Sequence, residues 1–510
     1  MTRFLLRRFA MALGTLVVLS IFIHFAVDLA IDPLDDLRQS TSPQKEALIE
    51  GRQAQLMLDQ PWIVRYWDWA SGFVQGHFGV AWRTGELVTD LLRGAVATSV
   101  TLIFGATLMA LLLGVTVGLI SALRQYTGFD YTITFVSFVL YSLPVFWVAV
   151  LLKQFLAIGI NDFLNTPAMN IPLTVGISAV AGLFWAGAIG GDRKRKLLIF
   201  VTAMAVTAGS WIFILYSGWL NAPSVGIIGL TVIGLAAAYV VTLLFAGIRN
   251  RRALGAAATT AVVGVLLYMP LQWVFYYVGD AMNVPVLLGL LVVAVGVALL
   301  IGWLFGGPDR GVSMRGAAIV AVIISVLIYI DRIMQSYPAY FTSSAVRGRP
   351  IATIGAQTPN LHGDFWTTQL DSFMHILLPT IALVLISFAS YTRYQRGAML
   401  EVMSQDYIRT ARSKGLTERV VITRHALRNA LMPLASIIPV DLVSLIGGAV
   451  LTETIFGWNG MGKLFIDSLG RAEIDPVMAY VMITGALAMA ANLVADFLYA
   501  VLDPRIRVNA

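Results

Sequence analysis

Twelve stretches of the sequence are apolar for long enough to cross a lipid bilayer, and this feature decides the fold class. About 30 Å of hydrocarbon takes roughly 20 apolar residues of α-helix to span. The qualifying windows are Phe9–Ile31, Thr98–Leu123, Thr132–Ile158, Ile171–Gly191, Leu197–Leu220, Val225–Ile248, Ala253–Val278, Val284–Phe305, Gly316–Ile330, Phe373–Tyr391, Leu431–Leu451 and Val477–Leu502. None shows the alternating pattern and ~10-residue length of a barrel strand, so an all-α integral membrane protein is expected. Composition agrees: 58% of the 510 residues are hydrophobic and only 12% charged, too little polar surface to coat a soluble globule. A soluble enzyme, a nucleic-acid binder and a disordered chain are excluded. With no cysteine present, disulfides, thiolate metal sites and cysteine nucleophiles are excluded too.

Two windows need argument. Phe9–Ile31 follows Arg7 and Arg8, as a secretory signal core would. Its apolar run is longer than such a core and no small-x-small site precedes the polar run from Asp32, so an uncleaved first helix is expected. Gly316–Ile330 is short, and its flanking Arg315 and Asp331 would have to snorkel, or the bilayer thin, for it to span.

Basic residues fix the direction. With both termini in the cytoplasm, the inner loops hold Arg124, the run Arg193-Lys194-Arg195-Lys196, Arg249, Arg251, Arg252, Arg310, Arg315, the stretch Arg393–Arg428 and the tail Arg505 and Arg507. The outer connections 159–170, 221–224 and 279–283 hold no Lys or Arg. Dropping the ninth window would invert everything after it, so parity argues for that helix more strongly than its own length does.

The organisation expected from these windows is a first helix (1–31), a Trp-rich extracytoplasmic segment (32–97), a first block of helices (98–160), a six-helix region (161–345), an outer loop (346–372) and a last block (373–510). Asp331–Ser372 carries Pro338, Pro350 and Pro359, which argue for loop. The inner segment 392–430 mixes Tyr, Ile, Leu and Ala with basic residues and contains no Pro, as short amphipathic helices lying along a membrane do.

Within that segment stands Gln405-Asp406-Tyr407-Ile408-Arg409-Thr410-Ala411-Arg412-Ser413-Lys414-Gly415-Leu416, followed by Arg424-His425-Ala426-Leu427-Arg428 and, at the next helix, Pro433. Tyr407, Ile408, Ala411 and Leu416 can form one apolar stripe on a short helix. Gly415 is placed to end it, because glycine readily takes the left-handed conformation. The small side chain of Ala411 would let another surface come close. On these residues alone, a basic loop held near anionic lipid is the favoured reading of the segment.

This stretch resembles the coupling loop of ABC-importer permeases, and more narrowly that of the dipeptide/oligopeptide (and nickel) permease family. Further segments resemble the family in family order: Tyr66-Trp67-Asp68-Trp69, Gly76-His77-Phe78-Gly79, Ser142-Leu143-Pro144-Val145-Phe146-Trp147, Glu453-Thr454-Ile455-Phe456-Gly457-Trp458-Asn459-Gly460-Met461-Gly462, and Asp503-Pro504-Arg505. They cover residues 1–160 and about 360–510. The chain departs from the pattern at His77, where an acid is usual, at Arg409-Thr410-Ala411, where the general motif begins Glu-Ala-Ala, and in the extra region 165–345. Six inserted spans are an even number, which keeps the coupling loop on its original side.

The resemblance implies a six-helix type I permease core with a six-helix insertion. It implies partners: a second permease, two cytoplasmic ATPases that bind ATP and Mg, and an extracytoplasmic substrate-binding protein, in the cytoplasmic membrane. It implies no cofactor, metal or catalytic residue in this chain, and ATPase coupling through Tyr407, Arg409, Ala411, Lys414, Gly415 and Leu416. Cargo would be di- or oligopeptides, or nickel.

Other candidates weigh less. Gly457–Leu464 imitates a phosphate-cradling loop, but Leu464 stands where Ser or Thr must hold Mg²⁺, and no strand precedes it. Asp441, mid-span, is a pathway or structural carboxylate, with Pro144 and Trp147 as further pathway candidates. Pro433 and Pro439 can bend helices. Lys153 and Asp496 are expected to snorkel, and His425 has no companion at ligand spacing. Gly114 and Gly118 suit a close helix contact. An ion-coupled secondary transporter is the rival reading, but it would need inverted repeats or clustered intramembrane carboxylates; no repeat is visible.

Overall fold

The computed structural model describes residues 2–247, 249–307 and 310–502; the Asp503-Pro504-Arg505 segment and Arg507 lie outside them. Among the described residues twelve helical stretches are long and apolar enough to cross a membrane. Among the described residues no strand forms beyond one antiparallel bridge, Val80 to Leu87.

The chain begins with α1 (Thr2–Ala30) and three shorter helices, α2 (Asp35–Arg38), α3 (Lys45–Gln55) and α4 (Trp62–Val74). α4 lies along α1: Arg65 pairs with Asp28 at 2.6 Å, and the Tyr66 hydroxyl hydrogen-bonds Ser20 at 2.9 Å. Trp82 carries the Arg52 guanidinium on its ring at 4.1 Å and that of Arg83 at 4.9 Å. The Trp-rich segment is thus a cap folded against the first helix.

The core is built on α5 (Val88–Leu123) and α16 (Phe365–Met403). Their backbones approach closely because two glycines lack side chains. A Cβ on Gly114 would lie 2.6 Å from that of Tyr391, and one on Gly118 2.7 Å from the Thr392 carbonyl oxygen. This is the small-residue contact the sequence suggests. Between them in sequence come α6 (Gly128–Ser142), then α7 (Val145–Leu151), which continues through a π-helical stretch, Leu152–Ile158, into α8 (Gly159–Asn165). The expected single span Thr132–Ile158 is therefore broken. Leu143 is extended and Pro144, which has no N–H to donate, caps α7.

Next come α9 (Ile171–Ile189), α10 (Arg193–Tyr216), α11 (Gly226–Phe245), α12 (Arg251–Tyr277), α13 (Val284–Gly306) and α14 (Arg310–Gln335). Side chains of Asn170, Asp192, Asn250 and Asn283 accept the backbone N–H three residues on and so start α9, α10, α12 and α13. α9 and α10 form a hairpin beside α6, and α11 to α14 form a bundle whose core also takes in Tyr340 and, from α16, Trp366 and Leu370. That bundle meets α16 where Phe275 packs on Trp366 at 5.0 Å.

The chain then forms α15 (Tyr337–Thr342), α16, the short α17 (Asp406–Ser413), and α18 (Glu418–Val420), which leads through a π-helical Val421–Ala426 into α19 (Leu427–Ala430). It ends with α20 (Met432–Gly448), α21 (Val450–Phe456), α22 (Met461–Gly470) and α23 (Ile474–Leu502). α17 marks one end of the bundle, which also carries Arg124, Arg252 and Arg310.

Several expected bounds are corrected. α5 starts at Val88, not Thr98, taking ten residues from the outer segment. α16 starts at Phe365, not Phe373, and runs to Met403, so the first part of segment 392–430 is helix continuing out of the span rather than lying along the membrane. At about 1.5 Å per residue α16 is nearly 60 Å long, twice the hydrocarbon thickness. The Asp331–Ser372 segment is not all loop, since it holds the end of α14, α15 and the start of α16.

The ninth span grows from Gly316–Ile330 to Arg310–Gln335, and Asp331 does not snorkel. It is buried, with one oxygen accepting the N–H groups of Val225 (2.6 Å) and Gly226 (3.0 Å) and the other the Tyr268 hydroxyl (2.6 Å) and the Gln335 amide (2.8 Å). Lys153 donates to the Ile455 carbonyl at 3.2 Å, and Asp496 pairs with Arg8 at 3.0 Å. Both are tied within the bundle instead of reaching for water.

Candidate functional site

The segment around α17 folds as a knob with two faces. On its inner face Ile408 and Ala411 are buried, at 0% and 7% exposure. They pack with Met399 of α16, Ala122 of α5 and Val421, Ala426 and Ala430 of the following helices. The small residue at Ala411 thus lets the chain's own helices come close, a correction to its reading as a contact for another surface. The outer face carries Tyr407 and Leu416, 41% and 40% exposed, with Arg409 and Lys414 also exposed. The expected single stripe of Tyr407, Ile408, Ala411 and Leu416 is split between the faces, because consecutive helix positions lie about 100° apart.

The knob is braced at both ends. The Asn429 amide donates to the Tyr407 hydroxyl at 2.8 Å, and Arg412 binds Glu418 through two hydrogen bonds, 2.7 and 3.2 Å. Gly415 follows α17 with φ +74°, and its N–H bonds the Arg412 carbonyl at 2.9 Å. No atom crowds the place where its side chain would stand, so conformation, not space, favours glycine there.

Above the knob, Arg396 of α16 grips Asp130 in the first turn of α6. Nε meets Oδ1 at 2.7 Å and Nη2 meets Oδ2 at 3.0 Å. The same carboxylate accepts the Ser121 hydroxyl of α5 at 2.6 Å and the Tyr126 N–H at 3.1 Å. The Arg396 hydrogen bond, working against the cost of burial, holds the Asp130 carboxyl down at about 2.

At the opposite end, Glu453 of α21 joins three elements. It is buried, accepts the Ser99 hydroxyl of α5 at 2.6 Å and the Lys463 N–H at 3.0 Å, and also takes the Gly462 N–H. Ser99 in turn accepts the Met461 N–H at 2.8 Å. Burial pushes the Glu453 carboxyl up despite these donors. The start of α22 is therefore an anion cradle filled by the chain's own carboxylate, which explains why Gly457–Leu464 imitates a phosphate loop. A Cβ on Gly460 would lie 2.2 Å from Glu453 Oε1, and one on Gly462 2.6 Å from Val450 Cα.

The pathway candidates divide. Pro144 and exposed Trp147 stand at the α6–α7 break. Asp441, on α20, faces the Tyr391 hydroxyl of α16. Leu143, Tyr391 and Leu442 share one apolar cluster, so the α6–α7 break and the Asp441 region border the same core. His77 is exposed, and at the end of its motif the Asp475 carboxylate accepts the Val80 N–H at 3.2 Å. Asp130, Arg396 and Ser99 were not singled out from the sequence. Arg396 lies in the basic stretch and Glu453 in a motif, but nothing local names their partners.

Among the described residues no three His, Cys, Asp or Glu side chains are grouped to hold a metal ion. The arrangement offers an exposed knob packed on a long helix, ties at both ends of the core, and a broken helix between.

A family profile described as "Binding-protein-dependent transport system inner membrane component" matches residues 238–508. The chain belongs to this family and is a multi-pass inner membrane protein. It is similar to the oligopeptide transport system permease protein OppB of Mycobacterium tuberculosis, 42% identical over 155 residues, which cover 30% of this chain and 48% of that one. It is also similar to the oligopeptide transport system permease protein AppB of Bacillus subtilis (47% over 136 residues, 27% and 43% of the chains). The dipeptide transport system permease protein DppB of Escherichia coli is 46% identical over 138 residues, 27% and 41% of the chains. The chain spans about half the length, or less, of these relatives.

Proposed function

We propose that the chain is the membrane-spanning permease subunit of an ATP-driven, binding-protein-dependent importer of di- or oligopeptides. The family and the printed names of its relatives support this reading. The observation that carries it is the two-faced knob: Ile408 and Ala411 seat α17 on the core, while Tyr407, Arg409, Lys414 and Leu416 are exposed. An isolated basic loop held to lipid needs no such seat.

In this reading the knob faces the cytoplasm, both termini lie inside, and each exposed side chain bears on a partner ATPase. Two such ATPases bind ATP and Mg, a second permease shares the pore, and an extracytoplasmic binding protein delivers cargo. The ATPases close on ATP and draw α17 with them. Because Arg396 and the Gly114–Gly118 contact join α16 to α5 and α6, the pull reaches the core as a rigid tilt. Closure biases the core only by its differential affinity for the two states. Residues 98–160 and 373–510 form the permease core, with Pro144, Trp147 and Asp441 on the pathway, and 161–345 are an insertion outside it.

The experiment is uptake into vesicles holding the assembled complex, with a radiolabelled dipeptide and the outer binding protein. Accumulation should require ATP and survive an uncoupler. Uptake that persists without ATP and stops with the uncoupler would mean ion-coupled transport instead.

A further inference from the structure

The inserted bundle contains a crevice that its own side chains leave unfilled. It lies between α12, α13 and α14 and has a volume of about 400 Å³. Gly264 and Leu267 of α12, Leu291 and Ala294 of α13 and Ile328 of α14 are among its walls. The crevice follows α13 from Val284 to Ile301, roughly 25 Å at the rise of a helix. All three helices are long and apolar enough to cross a membrane, so the medium at its mouth is hydrocarbon. Walls so apolar give water no partners, and an empty slot would forfeit dispersion contacts along its length.

What distinguishes the crevice from ordinary lipid-facing surface is its rim. The end beyond Thr260, Ile301 and Ala321 carries Arg249, Arg251, Arg252, Arg310 and Arg315. The Arg252 guanidinium and the Arg310 stem both lie against the Gly306–Gly307 turn. Among the described residues Arg252, Arg310 and Arg315 have no ion-pair partner, and all three are exposed. They stand one to two helical turns past the last apolar wall residues, about the depth of the headgroup layer beyond the hydrocarbon.

We propose that this bundle binds an anionic phospholipid, with one acyl chain in the crevice and the phosphate at Arg252, Arg310 and Arg315. Apolar length and unpaired positive charge are met together by that one ligand class, as basic pockets between membrane helices meet lipid headgroups. A polypeptide helix would be too broad for the slot between α12 and α13, and a neutral lipid would bring the arginines no counter-charge, Arg310 having only the Trp303 ring at 4.9 Å. The inference concerns the insertion alone and does not depend on the transport reading.

The test offers the purified full chain in detergent an equimolar mixture of dioleoyl phosphatidylglycerol and dioleoyl phosphatidylcholine and reads bound lipid by native mass spectrometry. Retention of phosphatidylglycerol in preference to phosphatidylcholine is expected. R252Q/R310Q/R315Q should lower that preference by roughly a hundredfold, at the usual worth of each basic residue near a charged headgroup. Ala294→Phe, which fills the crevice, should release the lipid while the arginines remain. Equal retention of both lipids by the unsubstituted chain would overturn the proposal without recourse to any variant, and so would full retention by a folded Ala294→Phe chain.

Discussion

Asp130 and Arg396 stand 266 positions apart in the chain and meet just above the α17 knob, where their paired hydrogen bonds tie α6 to α16. The carboxylate is buried and the guanidinium about a quarter exposed. Removing one partner strands the other with an uncompensated charge. Arg396→Leu should therefore cost about 3 kcal/mol, read as a lower melting temperature of the detergent-solubilised protein. Combining it with Asp130→Asn should cost less than the two changes separately, since the second removes the stranded charge.

The same pair predicts a response to acid. Asp130 titrates at about 2 in the folded chain and at 3.8 ordinarily. Its folded value is depressed, so its stabilisation is complete above the ordinary value and drains away as pH falls from about 4 to about 2. Linkage puts the contribution at roughly 2 kcal/mol. Melting curves across this range should fall more steeply for the unsubstituted protein than for Asp130→Asn, which has no carboxyl to protonate. Parallel curves would remove Asp130 as the cause.

Why were the twelve spans legible in the sequence while these ties were not? A span is a local property, because twenty apolar residues report their medium wherever they sit. Helix ends are less local. α5 begins at Val88 and α16 at Phe365, ahead of their apolar windows, because tertiary partners support the added turns: Val88 and Leu92 sit in a cluster with Met461 and Tyr480, and Trp366 is buried against Phe275. Partnership across the chain is not local at all. Glu453 is visible in its motif, but Ser99, 354 positions away, has no mark that distinguishes it from other serines in apolar helices. The short helix α17 is legible in place and ending, with Gly415 where the turn requires it. Its division into faces is not, because Tyr407 and Ile408 lie about 100° apart, at the two margins of one stripe, and the helices that cover only Ile408 come from elsewhere in the chain.

At the opposite end of the core, Gly460 should be intolerant of any side chain. Its Cβ would fall on the Glu453 carboxylate, which is itself fixed by Ser99 and the start of α22. Gly460→Ala must displace that carboxylate from its donors in a buried site. A loss of about 2 kcal/mol is expected, again read by thermal melting. Gly470→Ala, where nothing lies within 4 Å, is the control and should change little.

The knob makes the sharpest distinction between holding the fold and working on a partner. Arg409 and Lys414 are exposed on its outer face, so R409E/K414E should leave melting within about 0.5 kcal/mol of the parent, as surface changes generally do. The same double change reverses two charges presented to the docking partner, and ATP-driven uptake should fall by tenfold or more, on the usual worth of charge complementarity across an interface. Ala411→Leu acts from the other side. It forces bulk between α17 and Met399, Val421 and Ala426, so stability and uptake should fall together, with about 1–3 kcal/mol lost to overpacking. Measuring both properties on both variants separates the faces. If R409E/K414E transports normally while the ATPases still co-purify, the outer face is not where coupling occurs.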